Sequence, residues 1–92
     1  MNEAAANVLY EAERTGVKQI RGTLRTSDGG RCALAVLRDA METSSLMTWH
    51  ELACPLCGGG RYMAEAYLIV HLNDDHGLSF SEIARKLGPD AA

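Results

Sequence analysis

Four side chains in this sequence have the types and spacing to hold a metal ion: Cys54, Cys57, His71 and His76. The cysteines are separated by two residues. Thirteen residues then lead to the first histidine, and four more separate it from the second. Two cysteines at this spacing form a tight knuckle whose thiolates converge on one point, and a following helix can return imidazoles to the same ion. Pro55 stiffens the turn, and Gly58 leaves room for backbone amides to face the sulfurs. Two thiolates and two imidazoles complete a tetrahedral shell, the donor set of a structural zinc ion with no open position for catalysis.

The histidine spacing imposes a condition. On an ideal helix, residues five apart are rotated by about 140°. His71 and His76 can therefore share an ion only if the helix ends or distorts before His76. Asp75-His76-Gly77 is the natural place for that ending. Asp75, four residues after His71, is the reserve fourth ligand; His50 and Cys32 are outside candidates. Asn73, Asp74 and Asp75 are expected to cap the helix or to orient the histidine rings from behind. A redox role for the cysteine pair fits less well. That motif opens a helix after a strand in a βαβ unit, whereas this pair precedes Gly58-Gly59-Gly60.

Other chemistries lack essential residues. His50-Glu51 begins a metalloprotease pattern, but Cys54 stands where its second histidine belongs. A deaminase needs His-x-Glu and a proline before the cysteine pair; the former is missing and Ala53 holds the latter position. No phosphate-binding Gly-Lys loop occurs, and Gly29-Gly30 reads as a turn. The formal net charge is −3, yet segment 14–38 carries six basic residues against the single acid Asp28. Lys18, Arg21, Arg25 and Arg31 are the candidate nucleic-acid contacts in that stretch. No aromatic residues are interleaved with them to stack on bases.

The elements that must position these residues follow from periodicity and caps. Asn2 to Arg14 reads as a helix capped by Asn2, with Ala5, Val8, Leu9 and Ala12 on one face. Val17 to Cys32, with a turn at Ser27-Asp28-Gly29-Gly30, reads as a short β-hairpin. Ala33 to Glu42 is helical, with Leu34, Leu37 and Met41 on its stripe, and Thr43-Ser44-Ser45 is a loop. Met47 to Ala53 leads into the knuckle as an extended segment. Tyr62 to Asp75 is the longest helix expected after the knuckle, with Met63, Ala66, Tyr67 and Val70 along one face. Ser79 and Glu82 form a capping box that opens a last helix with Ile83, Ala84 and Leu87 inside, stopped by Gly88-Pro89. Leu78 to Gly88 resembles the first helix of a helix-turn-helix unit. Without a recognition helix after it, it is expected to pack as a C-terminal helix.

The 92 residues suit one domain. The apolar content of 47% is rich in alanine, with one Trp and one Phe. Such a core buries little area per residue, so a metal staple would help it. An odd cysteine count of three, no leader pattern and no spanning apolar run point to a reducing cytoplasm and no membrane. The CPLCG stretch, Cys54 to Gly58, resembles the knuckles of zinc ribbons and rubredoxins, which carry two where this chain has one. From Cys54 to His76 the ligand order resembles zinc fingers of the two-cysteine, two-histidine type. More widely, Gly22 with its turn, Arg31-Cys32-Ala33-Leu34, His71-Leu72-Asn73-Asp74 and Ser81-Glu82-Ile83-Ala84 resemble a group of small uncharacterised bacterial and phage proteins, a likeness that implies no activity.

These observations lead to a mostly helical α+β domain over 1–92, with about four helices, a short β-hairpin and one structural zinc held by subregion 47–77. The expected function is a non-enzymatic zinc-binding adaptor that docks on a larger protein assembly, with no small-molecule substrate. The alternative is a nucleic-acid-binding transcriptional or phage regulatory protein using the basic segment 14–38. A metal-dependent hydrolase or nuclease is the least favoured reading, because a catalytic metal needs an open position.

Overall fold

The computed structural model describes residues 1–49, 51–58 and 61–89. Four helices order the chain: α1, Glu3–Arg14; α2, Ala33–Ala40; α3, Glu65–Asp74; and α4, Phe80–Leu87. A single 3-10 turn, Ser44–Met47, lies between α2 and the knuckle. α1 packs on α4 and α2, while α3 packs on α2, α4 and the 3-10 turn. Leu9 from α1, Leu37 from α2, Leu68, Ile69 and Leu72 from α3, and Phe80 and Ile83 from α4 are the large side chains fully buried at the centre.

Both predicted caps form. Asn2 Oδ1 accepts the Ala5 amide at 2.8 Å. Ser79 Oγ accepts from the Glu82 amide while the Glu82 carboxylate accepts from the Ser79 amide, a reciprocal box that starts α4. Phe80 and Ile83 then bury against the rest of the core, so α4 packs as the expected C-terminal helix. Phe80 is the largest fully buried side chain among the described residues, although it lies off the Ile83, Ala84 and Leu87 stripe expected from the sequence.

The expected β-hairpin does not form: the described residues contain no sheet. Segment 17–32 holds only isolated bridges, Gln19 with Arg31 in parallel and Arg25 with Arg31 antiparallel. Arg31 is the shared rung, so neither pairing extends into a ladder. The turn itself is present, with the Gly29 amide bonded to the Thr26 carbonyl at 3.2 Å. Backbone bonds do join the two arms, with the Ile20 amide on the Arg31 carbonyl at 3.1 Å and the Arg31 amide on the Lys18 carbonyl at 2.9 Å, but the Ile20 carbonyl accepts from the Asn73 side chain instead of continuing a ladder.

Two helices are shorter than their patterns. α2 stops at Ala40. α3 starts at Glu65 because Tyr62 is held in extended pairing with Leu52, with N···O distances of 3.0 and 2.9 Å. The buried face of α3 also differs from the expected one. Ala66 is inside, but Met63 and Tyr67 are exposed, and Leu68, Ile69, Leu72 and Asn73 take the core. α3 is apolar nearly all round, so periodicity could not choose between its faces.

Asn73 is the polar centre of this core and is fully buried. Its Oδ1 accepts from Gln19 Nε2 at 2.8 Å and from the Ala33 amide at 3.0 Å. Its Nδ2 donates to the Ile20 carbonyl and to Asp74 Oδ1, each at 2.8 Å. The Ala33 bond caps the N-terminus of α2, where the N-cap residue Cys32 offers no side-chain bond. One amide thus joins α3, α2 and the loop between α1 and α2, with all of its hydrogen-bonding capacity used. Asn73→Ala leaves the Ala33 amide and the Ile20 carbonyl without their partner. It should lower the unfolding free energy by about 2–4 kcal/mol in urea titration, in line with the cost of unpaired buried groups; a loss under about 0.5 kcal/mol would show that the hub is dispensable.

Candidate metal centre

The knuckle is closed by the Leu52–Tyr62 pair on one side and by a tight turn on the other. The Gly58 amide bonds to the Cys54 carbonyl at 2.9 Å. Gly58 has φ of +63°, a left-handed conformation that a side chain would strain. The Leu56 amide faces Cys54 Sγ at 3.4 Å. Cys54 is buried and Cys57 exposed.

The other half of the site comes from the end of α3. His71 lies in its last turn, and the helix stops at Asp74. The His76 amide reaches back to the His71 carbonyl at 3.3 Å and the Leu78 amide to the Leu72 carbonyl at 3.1 Å, wider closures than an α-helical turn. Gly77, at φ +65°, reverses the chain. This loosened ending swings His76 round toward His71, as the ligand spacing demanded.

The ligand atoms of Cys54, Cys57, His71 and His76 all lie within 4.8 Å of one another. Cys54 Sγ is 3.4 Å from His76 Nε2, Cys57 Sγ is 3.6 Å from His71 Nε2, and the two Nε2 atoms are 3.1 Å apart. Metal–sulfur bonds of about 2.3 Å and metal–nitrogen bonds of about 2.0–2.1 Å in a tetrahedron place S and N about 3.6 Å apart and N and N about 3.3 Å apart. The four positions are therefore compatible with one metal ion.

Second contacts favour the liganding forms. Asp75 Oδ2 sits 2.7 Å from His71 Nδ1. With the proton on Nδ1, the Nε2 lone pair is left for the ion. Asp75 is thus placed to orient His71, while His76 is the residue whose ring nitrogen joins the other three ligand atoms. The Tyr62 ring stacks on His71 at 4.9 Å between centroids and shields that face. Burial pushes the Cys54 thiol up. The backbone amides of Cys57 and Leu56, with the Cys57 and His71 side chains, outweigh burial and bring it down to about 6. Desolvation favours neutral His71, but Asp75 and Cys54 outweigh it and raise its proton affinity. A metal must displace that proton, so its affinity falls as the pH is lowered.

Of the outside candidates, Cys32 is buried in the apolar core, not at the cluster. His50 lies outside the described residues, as do Gly59 and Gly60 of the glycine run. Tyr62 was not foreseen as part of the site, since its apolar neighbours made it read as the first turn of a helix.

The four candidate nucleic-acid contacts, Lys18, Arg21, Arg25 and Arg31, are engaged within the chain. Lys18 pairs with Asp28, and Arg25 and Arg31 both reach Asp39. The Arg21 guanidinium donates to the Asn73 and Gly77 carbonyls at 3.1 and 2.8 Å. No family model, curated protein or solved structure matches the chain. No helix among the described residues is long and apolar enough to cross a membrane.

The division of labour between Asp75 and His76 can be measured. Asp75→Asn should weaken metal binding by about 10–100-fold in competition with a chromophoric chelator, as expected for loss of a ring-orienting partner. His76→Ala should weaken it further. A larger loss for Asp75→Asn than for His76→Ala would make Asp75 the ligand.

Proposed function

We propose that this chain is a zinc-stapled, non-enzymatic interaction module that docks on a protein partner. Zinc is the ion that best suits two thiolates and two imidazoles in a tetrahedral shell, and such a shell leaves no position for a substrate or an activated water. A catalytic role for the metal is correspondingly disfavoured.

The observation that carries the docking reading is where apolar side chains are left uncovered. Of the seven large hydrophobic residues exposed, five belong to the segment that carries or flanks the knuckle: Met47, Trp49, Leu56, Met63 and Tyr67. Trp49 is 73% exposed. Aromatic and methionine side chains are enriched at protein interfaces, and these five are left outside the core. Zinc in this reading fixes the backbone that presents them.

The nucleic-acid reading draws less support. Lys18, Arg25 and Arg31 spend their charge on carboxylates, and Arg21 spends its donors on backbone carbonyls. These contacts offset part of the positive charge that the segment presents to a phosphate backbone. Salt-dependent binding of duplex DNA or RNA, abolished by replacing Arg21, Arg25 and Arg31 with alanine, would restore that reading.

Replacement of Trp49 and Tyr67 by serine should leave zinc content and helical circular dichroism unchanged, while removing the protein that co-purifies with the chain from its own cells. Retention of the same partner at the same yield would contradict a docking role for this surface.

A further inference from the structure

The metal ligand with the least support from its own helix is His76, which lies beyond the end of α3. Its position depends on how that end is held. The Arg21 guanidinium lies across the ending: Nε donates to the Asn73 carbonyl in the last turn, and Nη2 donates to the Gly77 carbonyl just past His76. One planar group thus fixes the backbone on both sides of the ligand. Guanidinium is suited to this, because its rigid fork offers two donors at once and its charge opposes the negative end of the helix dipole.

Gly77 is matched to this arrangement. A Cβ there would stand 3.2 Å from Arg21 Nη2, in addition to the strain of φ at +65°. Gln19, two residues before Arg21, grips the same ending, with Nε2 donating to the Leu78 carbonyl at 2.7 Å and to Asn73 Oδ1 at 2.8 Å. Neither Gln19 nor Arg21 belongs to the metal subregion of the sequence. The loop between α1 and α2 nevertheless grasps residues 73–78 from outside.

We infer that Arg21 is a positioning residue of the metal centre, holding His76 in ligand geometry by bridging the Asn73 and Gly77 carbonyls. The inference rests on the metal-site reading above. By linkage, a filled metal site also holds the 17–31 loop more tightly on α3, since whatever favours one arrangement favours the other by the same factor.

The test is a double-mutant cycle on the full chain, with zinc affinity read by chelator competition and ligand geometry read from the visible spectrum of the cobalt(II) form. Arg21→Met removes both donors and retains much of the stem. It should weaken zinc by about 10–100-fold and lower the intensity of the tetrahedral cobalt bands. In the His76→Ala background the same change should alter zinc affinity by less than about twofold, because the ligand it positions is gone. Arg25→Met removes two hydrogen bonds between the same loop and Asp39 and should leave zinc affinity within about twofold of the unaltered chain. If Arg21→Met does not fold, Arg21→Lys supplies the cycle, since lysine keeps the charge but not the rigid two-donor fork.

An unchanged affinity in Arg21→Met, an equal loss with and without His76, or an equal loss in Arg25→Met would each overturn the role given to Arg21. Failure of the unaltered chain to bind zinc or cobalt at all would instead overturn the metal reading on which it stands.

Discussion

The rest of this structure depends on how α3 ends. Between Asn73 and Leu78 the chain must bury an amide, swing a histidine out of helical register and reverse direction. Each act uses a different device: the fully bonded Asn73 side chain, the wide closures onto the His71 and Leu72 carbonyls, and the left-handed Gly77. The ending faces two ways. Toward the core it caps α2 and ties down the 17–31 loop; toward the knuckle it delivers His71 and His76 to the cysteines.

That arrangement suits a domain whose core is thin. Alanines fill many of the buried positions on α1 and α2, and helices brought close by small side chains remove little apolar area from water. Polar groups therefore carry more of the task of specifying one arrangement. The Asn73 hub is satisfied on every donor and acceptor, so it fixes the register of three segments without leaving a buried group unpaired. At the knuckle, Cys54, Cys57, His71 and His76 bring their ligand atoms together in an arrangement compatible with one metal ion at their centre. The surface ion pairs, such as Lys18 with Asp28, are exposed on both sides and add little by comparison.

How much of this was legible in the sequence depends on the range of the interaction. Local signals read directly. The Asn2 cap, the Ser79–Glu82 box, the turn before Gly30 and the knuckle itself are set by neighbours within a few residues. The convergence of Cys54, Cys57, His71 and His76 was legible because of their spacing, and the condition that spacing placed on His76 pointed to the loosened helix end. Long-range competition was not legible. Tyr62 left its helix for a pairing with Leu52, and Ile20 gave its carbonyl to Asn73 instead of to a strand. The all-round apolar character of α3 concealed which face it buries. The role of Arg21 was hidden for the same reason: a basic residue in a basic stretch reads as a surface contact until a helix end 52 residues away is found beneath it.

Closure of one zinc shell by Cys54, Cys57, His71 and His76 is the proposal on which the domain's organisation turns. X-ray absorption at the zinc edge of protein purified without added chelator tests it most directly. One zinc per chain is expected, with two sulfur neighbours at about 2.3 Å and two imidazole nitrogens at about 2.0–2.1 Å. A folded protein without metal, or a shell in which a water oxygen replaces one of these four ligands, would contradict it.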